Sequence, residues 1–245
     1  MDDVRPVQAA GGQTADAGPE ETVEELAKKI DYEILEAALT EKQLYTACLV
    51  ARQHGLGSVV VRPCDADSAM RFLSLGVVKV ASTVGHPFGS SNTGVKVYEA
   101  RDLLRRGVKQ IWAYPNPGKL FSRHFQHLEV ELIQIADSCL ESGAVLKIVA
   151  DIAMIDEEMK IILCRMAKRV KAHYICASEP RDLELFRKYC GELVKVQCGG
   201  VDTLERARQA LAVGCERIST RDPEAILNTL AAERASRAAT NSAQG

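Results

Sequence analysis

The sequence has 245 residues, 47% of them hydrophobic and 26% charged, which is the size and composition of one folded domain. Its 31 basic and 33 acidic residues are mixed along the chain and give a formal charge of −2, so we expect no nucleic acid partner and no attraction to a membrane surface. No apolar run approaches the roughly 20 residues of a membrane span, and the opening MDDVRPVQAAGG lacks the order of a signal peptide. These features predict a cytoplasmic protein.

Eight cysteines are scattered through the sequence without any C-x-x-C pair, and the histidines show no H-x-H or H-x-x-x-H spacing. The first pattern argues against a disulfide framework and a structural zinc site, and the second argues against other metal centres. We therefore predict reduced and mostly buried thiols, no metal and no cofactor. The cysteines are Cys48, Cys64, Cys139, Cys164, Cys176, Cys190, Cys198 and Cys215.

Both ends of the chain, residues 1–22 and 232–245, are rich in small and polar residues and are predicted to be flexible tails. Between them, short β-branched segments alternate with amphipathic segments that have helical periodicity. Helix starts are marked by Thr40 with Gln43, by Asp156, by Thr203 and by Asp222-Pro223. The predicted strands cover residues 30–35, 57–62, 77–84, 109–114, 145–151, 172–177, 193–198 and 216–220.

Eight strands that alternate with helices indicate a single-domain α/β protein, a (β/α)8 TIM barrel over residues 23–231. A doubly wound open sheet repeats the same units and is the alternative architecture. In either fold the ligand site lies at the C-terminal ends of the strands. The candidate residues are therefore the last ones of each strand and those that follow.

Two of these strand ends have the composition of a phosphate site. Gly199 and Gly200 lead into the helix that starts at Thr203, and Ser219, Thr220 and Arg221 precede the helix that starts at Asp222. Backbone N–H groups at helix starts attract anions, and this is the usual phosphate position on barrels. The alternative is that the glycines only form a tight turn while the two hydroxyls cap the last helix.

Lys147 and Asp151 are the leading candidates for catalysis, since they lie four residues apart on one strand and face the same side. Asp31 on the first strand joins them if the barrel brings it across. A buried lysine beside carboxylates is either an ion pair or a catalytic or substrate-binding amine.

Three further residues are candidates for the pocket. His86 stands at the tip of the third strand, and Cys176 and Cys198 end the sixth and seventh strands. One interpretation is an enzyme of different chemistry, in which His86, Asp151 and Cys176 act on another carbonyl compound. Buried and inert cysteines are the other, because neither thiol has an obvious base beside it in the sequence.

Six stretches between residues 30 and 221 resemble the deoxyribose-phosphate aldolase family in order and spacing. The most specific is TVGHPFGSSNTGVKVYEARDLLRRG, which is similar to the family's G-F-P-H-G or G-F-P-L-G turn and the K-x-x-E helix after it. The others are Ile30-Asp31, VVVRP at 59–63, LKIV at 146–149, GGVDT at 199–203 and RIST at 217–220.

The resemblance implies a carbon–carbon lyase that cleaves 2-deoxyribose 5-phosphate to glyceraldehyde 3-phosphate and acetaldehyde. It implies a Schiff base on a lysine of strand six, a second lysine on strand seven and an aspartate on strand four. Aligned through these strands, the three positions hold Cys176, Val196 and Trp112 in this chain. A thiol cannot form an imine, so we expect weak or absent Schiff-base turnover.

The sequence therefore predicts a deoxyribose-phosphate aldolase-like barrel that binds a small phosphorylated or anionic metabolite, and it leaves open whether the protein is an enzyme. The alternative is a non-catalytic metabolite-binding or partner subunit derived from an aldolase. A homodimer is compatible with either function.

Overall fold

The computed structural model describes residues 21–74, 76–150 and 155–243. Eight parallel strands of this part of the chain pair in sequence order, and the last pairs with the first to close a barrel. Each overlaps one predicted strand, so the TIM barrel is confirmed and the open sheet is wrong. The strands are β1 Ile30–Ile34, β2 Ser58–Val61, β3 Lys79–Val84, β4 Gln110–Ala113, β5 Val145–Val149, β6 Tyr174–Ala177, β7 Lys195–Cys198 and β8 Arg217–Thr220.

Helices precede β1 and follow every strand. The helices are α1 Val23–Lys29, α2 Glu41–His54, α3 Ala66–Phe72, α4 Thr93–Arg105, α5 Pro117–Phe121, α6 Phe125–Glu141, α7 Glu157–Arg169, α8 Pro180–Cys190, α9 Leu204–Ala212 and α10 Pro223–Ala243. A 3-10 turn, Pro63–Asp65, precedes α3.

The predicted helix starts are confirmed by the side-chain caps. Thr40 and Gln43 form a capping box at α2, and the Asp156 carboxylate accepts from the Met159 N–H at the start of α7. Thr203 caps α9 in the same way. Gly55 ends α2 in the left-handed region at φ 64°, a conformation that a residue with a Cβ adopts at a cost.

Strand side chains divide into an outer layer and an inner layer because successive residues point to opposite faces. The outer side chains pack against the helices in the main hydrophobic core, as Ile111, Ile148 and Ile175 do. The inner apolar layer is small and consists of Val60, Ala81, Trp112 and Val149. The rest of the barrel interior is polar, and this polar centre lies directly below the mouth where the site is expected.

The final helix α10 runs to Ala243, so residues 232–243 are helical and the predicted boundary at residue 231 does not coincide with the end of an element. The alanine-rich sequence of this segment favours helix despite its small side chains. Arg208 of α9 pairs with Glu233 of α10 at 2.6 Å. The flexibility of this segment remains a prediction, and residues 1–20 of the other tail lie outside the described residues. Among the helices described, none combines the length and the apolar character needed to cross a membrane.

Candidate functional site

A pocket of about 640 Å³ opens at the C-terminal ends of the strands, as the sequence predicts for a barrel. Its walls are the last inward-facing residues of the strands and the loops that follow them. They include Glu33, His86, Trp112, Tyr114, Val149, Cys176, Ser178, Gly199, Gly200, Ser219, Thr220 and Arg221. The predicted residues from strands three, six, seven and eight therefore meet in one cavity, with the exception of Cys198.

Lys147 lies below this pocket rather than in its wall. Its side chain is fully buried, and the ammonium donates to Asp31 Oδ2 and to Gln197 Oε1, each at 2.5 Å. The barrel therefore brings Asp31 across from β1 to Lys147 of β5, and the two form the ion pair that was one of the two interpretations. Because an unpaired charge at this depth would be very costly, each of these groups depends on the other.

Arg217 adds a second cation to this buried cluster. Its guanidinium donates to both carboxylate oxygens of Asp31, and Ser58 Oγ donates to Asp31 Oδ1 at 2.5 Å. Burial by itself would raise the pKa of Asp31, but the charges of Lys147 and Arg217 outweigh it and lower that pKa to about 2. Asp31 is thus an anion held by two cations. This cluster contains two positive charges and one negative charge.

Aromatic rings close the space around the Lys147 ammonium. The ammonium lies 4.5 Å from the centre of the Tyr174 ring and 5.3 Å from that of Trp112. In the amide orientation that satisfies its neighbours, the Gln110 oxygen accepts from Trp112 Nε1 at 2.8 Å and from Lys147 Nζ at 3.3 Å. Trp112 itself lines the pocket floor. Trp112 therefore places a ring between the pocket and the Lys147 amine.

The edge of the pocket at Gly199 contains two serine hydroxyls. A Cβ at Gly199 would lie 3.3 Å from Ser178 Oγ and 3.6 Å from Ser219 Oγ, so the glycine leaves room beside two hydroxyls. Ser219 Oγ is buried and has no hydrogen-bond partner among the described residues. Such an unpaired buried group costs about 1 to 3 kcal/mol unless a ligand or water satisfies it.

Thr220 has a different role from Ser219. Its Oγ1 accepts from the Asp222 N–H at 3.0 Å, and Asp222 Oδ1 accepts from the Ala225 N–H. Thr220 therefore shapes the turn before α10, as the capping alternative proposed, although it also lines the pocket. Gly200 has φ 62° and so performs the turn function expected of a glycine.

The K-x-x-E helix holds the loop that carries His86. Glu99 accepts from the Gly85 N–H at 2.8 Å, and the buried Lys96 ammonium donates to Glu131 at 2.7 Å and to the Tyr114 carbonyl at 2.8 Å. His86 follows Gly85 and packs edge-on against Tyr114 with ring centres 5.1 Å apart. Burial and the nearby Arg221 lower the pKa of His86, which favours a neutral imidazole in the pocket wall.

The two cysteine candidates face opposite sides of the barrel wall. Cys176 is part of the pocket floor, whereas Cys198 packs in the core between strands and helices and is not a pocket residue. The prediction for Cys198 is wrong because its neighbour Gln197 points inward to Lys147, and adjacent strand residues alternate.

The same alternation of strand faces applies to Val196, which the motif alignment placed at the position of the family's strand-seven lysine. It packs in the outer core, so the inward position of strand seven belongs to Gln197 and not to Val196. Lys195 lies at the other end of the strand, where it pairs with Glu216 at 2.6 Å on the surface. The alignment of Val196 counts residues back from Gly199 and Gly200, and such a count does not show which face of the strand a side chain occupies.

Asp151 lies outside the described residues. Several residues that shape the site were missed by the sequence reasoning, namely Ser178, Gln197 and Arg217. Strand periodicity provides a signal for one of them, since Ser178 follows Cys176 by two residues. Arg217 gives no such signal, because its partner Asp31 is 186 residues away.

Acidic side chains surround the mouth of the pocket. Glu33, Glu36, Asp202 and Asp222 lie in its wall together with one guanidinium, that of Arg221. The carboxylates oppose an anion at the mouth, whereas the guanidinium of Arg221 favours one. Within the described residues, no three His, Cys, Asp or Glu side chains form a group that could hold a metal ion.

Comparison with known proteins identifies the relatives of this barrel. The chain is 31% identical to the deoxyribose-phosphate aldolase of Treponema denticola over 212 residues, which cover 83% of this chain and 98% of that one. It is 29% identical to the deoxyribose-phosphate aldolase of Clostridium kluyveri over 83% of this chain and 97% of that one. No family model matches the chain.

The solved structure of deoxyribose phosphate aldolase from Aeropyrum pernix, described as a unique tetramer, has the same fold. It superposes with a TM-score of 0.79 at 22% identity and covers 85% of this chain and 92% of that one. The extent of the sequence match and the closed eight-stranded barrel agree with the motifs found in the sequence. The chain belongs to the deoxyribose-phosphate aldolase family.

Proposed function

We propose that the pocket binds a small phosphorylated or anionic metabolite and that it does not form an imine with this ligand on lysine. The observation that carries the proposal is the position of Lys147, whose amine is fully buried and bonded below the pocket floor. No lysine belongs to the described pocket wall, and the residues outside the described ranges include no lysine in the sequence.

The anion end of the ligand is assigned to the edge formed by Ser178, Gly199 and Ser219. The Ser219 hydroxyl, which is unpaired among the described residues, supports this assignment. A phosphate oxygen would accept a hydrogen bond from it and remove the cost of burying it. Arg221 supplies a positive charge in the same wall. The role of Lys147 is then to hold Asp31 and Gln197 in place beneath the ligand.

The imine part of the proposal is tested by reductive trapping. Protein is incubated with 2-deoxyribose 5-phosphate and borohydride, and the intact mass and peptide masses are measured. The expected result is no adduct above the level of an incubation without sugar phosphate. A stoichiometric adduct on any lysine contradicts the proposal, and an adduct that disappears in Lys147→Met would make Lys147 the imine-forming amine.

The binding part is tested separately by thermal unfolding in the presence of inorganic phosphate and of 2-deoxyribose 5-phosphate. A ligand that binds only the folded state raises the melting temperature with the logarithm of its concentration. Chloride at equal ionic strength is the control for general salt effects. No shift beyond that of chloride would remove the phosphate edge from the proposal.

A non-catalytic binder or partner subunit is the second candidate function, and the burial of the Lys147 amine favours it as well. It predicts stabilisation by sugar phosphates without release of glyceraldehyde 3-phosphate in a coupled assay. A cytoplasmic location and a homodimer belong to the proposal too. Cell fractionation tests the first, and light scattering after size exclusion tests the second.

A further inference from the structure

We infer that Cys176 is a nucleophile that captures the carbonyl carbon of a small aldehyde at the floor of the pocket as a reversible hemithioacetal. The inference rests on the proposed function in one respect, since it assigns the carbonyl end of the ligand whose anion end lies at Ser219. Cys176 and Ser219 both line the same described pocket.

The position of Cys176 places its thiol above the buried cations. In the register of β6 and β7, Cys176 is paired with Gln197, and the Gln197 side chain accepts from the Lys147 ammonium at 2.5 Å. Cys176 and Tyr174 are two residues apart on β6 and face the same side, and the Lys147 ammonium lies 4.5 Å from the Tyr174 ring. The thiol is therefore one interior layer above the ammonium.

The charge of the buried cluster favours a thiolate at this position. Lys147 and Arg217 carry two positive charges, and Asp31 carries one negative charge. A thiolate at Cys176 would balance the remaining positive charge. Nearby cations stabilise the thiolate of reactive cysteines in general. Electrostatic interactions of Cys176 with both Lys147 and Arg217 agree with this arrangement.

Other charged or titratable groups also face the floor. On β1 these are Asp31 and Glu33, and on β6 Tyr174; in the segments that follow the strands they are Glu36, His86, Tyr114, Asp202, Arg221 and Asp222. Glu33 is the carboxylate of the pocket wall that opposes a thiolate from β1, whereas Arg221 favours it. A second and independent sign of a ligand is the Ser219 hydroxyl, which is buried in the pocket wall without a partner among the described residues.

The step balances without any oxidant, reductant or cofactor. The Cys176 sulfur forms a bond to the carbonyl carbon, and the electron pair of the broken C=O π bond moves to oxygen. That oxygen takes up one proton in place of the proton lost by the thiol. The product is the sum of thiol and aldehyde, and the reverse step releases both.

The first experiment uses the unmodified protein and an internal control. Each thiol is alkylated with iodoacetamide over a range of pH, and peptide mass spectrometry follows Cys176 beside Cys64, the one exposed cysteine among the eight. We expect half-maximal labelling of Cys176 at a lower pH than that of Cys64. We also expect acetaldehyde to slow labelling of Cys176 at least tenfold more than labelling of Cys64. An unlabelled Cys176, a pH profile equal to that of Cys64, or no selective protection overturns the inference.

The second experiment detects the adduct directly. Carbon-13 acetaldehyde should give a bound signal, distinct from those of the aldehyde and its hydrate, that is lost in Cys176→Ser. The matched control is Cys198→Ser, which removes a buried thiol of the neighbouring strand that packs away from the pocket. A bound signal that persists in Cys176→Ser, or no bound signal in the unmodified protein, contradicts the inference.

The two proposals fail in different ways. Acetaldehyde carries no phosphate, so capture by Cys176 can be observed even if inorganic phosphate fails to stabilise the protein. Conversely, stabilisation by phosphate in Cys176→Ser would uphold the anion site whatever the thiol does.

Discussion

The ammonium of Lys147 on β5 lies 2.5 Å from Asp31 Oδ2 on β1, and neither side chain has any exposed surface. These two residues are 116 positions apart in the sequence and meet in the centre of the barrel. Their contact explains why the lysine retained in the barrel interior is not a group of the pocket wall. It also determines which substitutions the fold should tolerate.

Asp31→Asn should destabilise the protein by about 3 to 5 kcal/mol, because it leaves Lys147 and Arg217 buried together without their common counterion. Lys147→Met should cost less, since Asp31 keeps its ion pair with Arg217. Urea unfolding of each variant measures the difference. Lys195→Met is the control, because its half-exposed pair with Glu216 is worth no more than about 1 kcal/mol. Equal losses in Asp31→Asn and Lys195→Met would show that the buried cluster has no special weight.

The free energy of unfolding should decrease when the pH falls below the ordinary pKa of an aspartate. Lys147 and Arg217 lower the pKa of Asp31 from 3.8 to about 2 despite its burial, so the folded state binds this proton less readily than the unfolded state. The contribution is complete above about pH 4 and is lost as the pH falls toward 2, with a size on the order of 2 kcal/mol. The free energy of unfolding of Asp31→Asn should therefore change less over this window. A parallel pH dependence in the two proteins would contradict the assignment.

Ser219→Ala should leave the fold intact and weaken phosphate binding by about tenfold or more. The hydroxyl of Ser219 bonds no described protein group, so its removal costs the fold less than about 1 kcal/mol. Ser82→Ala is the contrasting variant, because the buried Ser82 hydroxyl donates to the Val61 carbonyl at 2.8 Å. It should lower stability by about 1 kcal/mol and leave the phosphate affinity unchanged. Titration followed by thermal unfolding distinguishes the two effects, and equal phosphate affinity in Ser219→Ala would contradict the prediction.

Gly199→Ala should also weaken phosphate binding, by filling the space beside the two serine hydroxyls. Its Cβ would come within 3.3 Å of Ser178 Oγ, which is tight enough to shift the hydroxyl. Gly94→Ala is the control, since it adds a methyl group at a helical position whose closest contact is 3.5 Å away. That change should stabilise α4 by up to about 1 kcal/mol. Unchanged affinity in Gly199→Ala would show that the anion does not lie at this edge.

The sequence was sufficient to predict the barrel, because each strand is a short β-branched segment and each helix has a recognisable start. It also placed His86, Cys176, Gly199 and Ser219 at one mouth, since the C-terminal ends of parallel strands meet on one side. Motif spacing could not predict that Gln197, and not Val196, faces the barrel interior on β7. Whether a strand residue faces inward depends on the register with its neighbours, and a count of residues from Gly199 does not contain that register.

The contact between Asp31 and Lys147 could be proposed from the sequence but not established, because it depends on the stagger of eight strands. The pairing of Arg217 with Asp31 could not be predicted for the same reason. Arg217 starts its strand and reads in the sequence as a surface residue, yet its side chain reaches Asp31 and leaves only 19% of its surface exposed.

Trp112 is the only tryptophan in the chain, and its indole forms part of the pocket floor while it bonds Gln110 beneath. The protein therefore contains a single tryptophan fluorophore, which lies at the boundary between its ligand cavity and its charged centre. Emission from this one ring reports on the filling of the cavity in a fully folded sample, with no contribution from any other indole. Stopped-flow fluorescence on the unlabelled protein can thus time the arrival of a ligand.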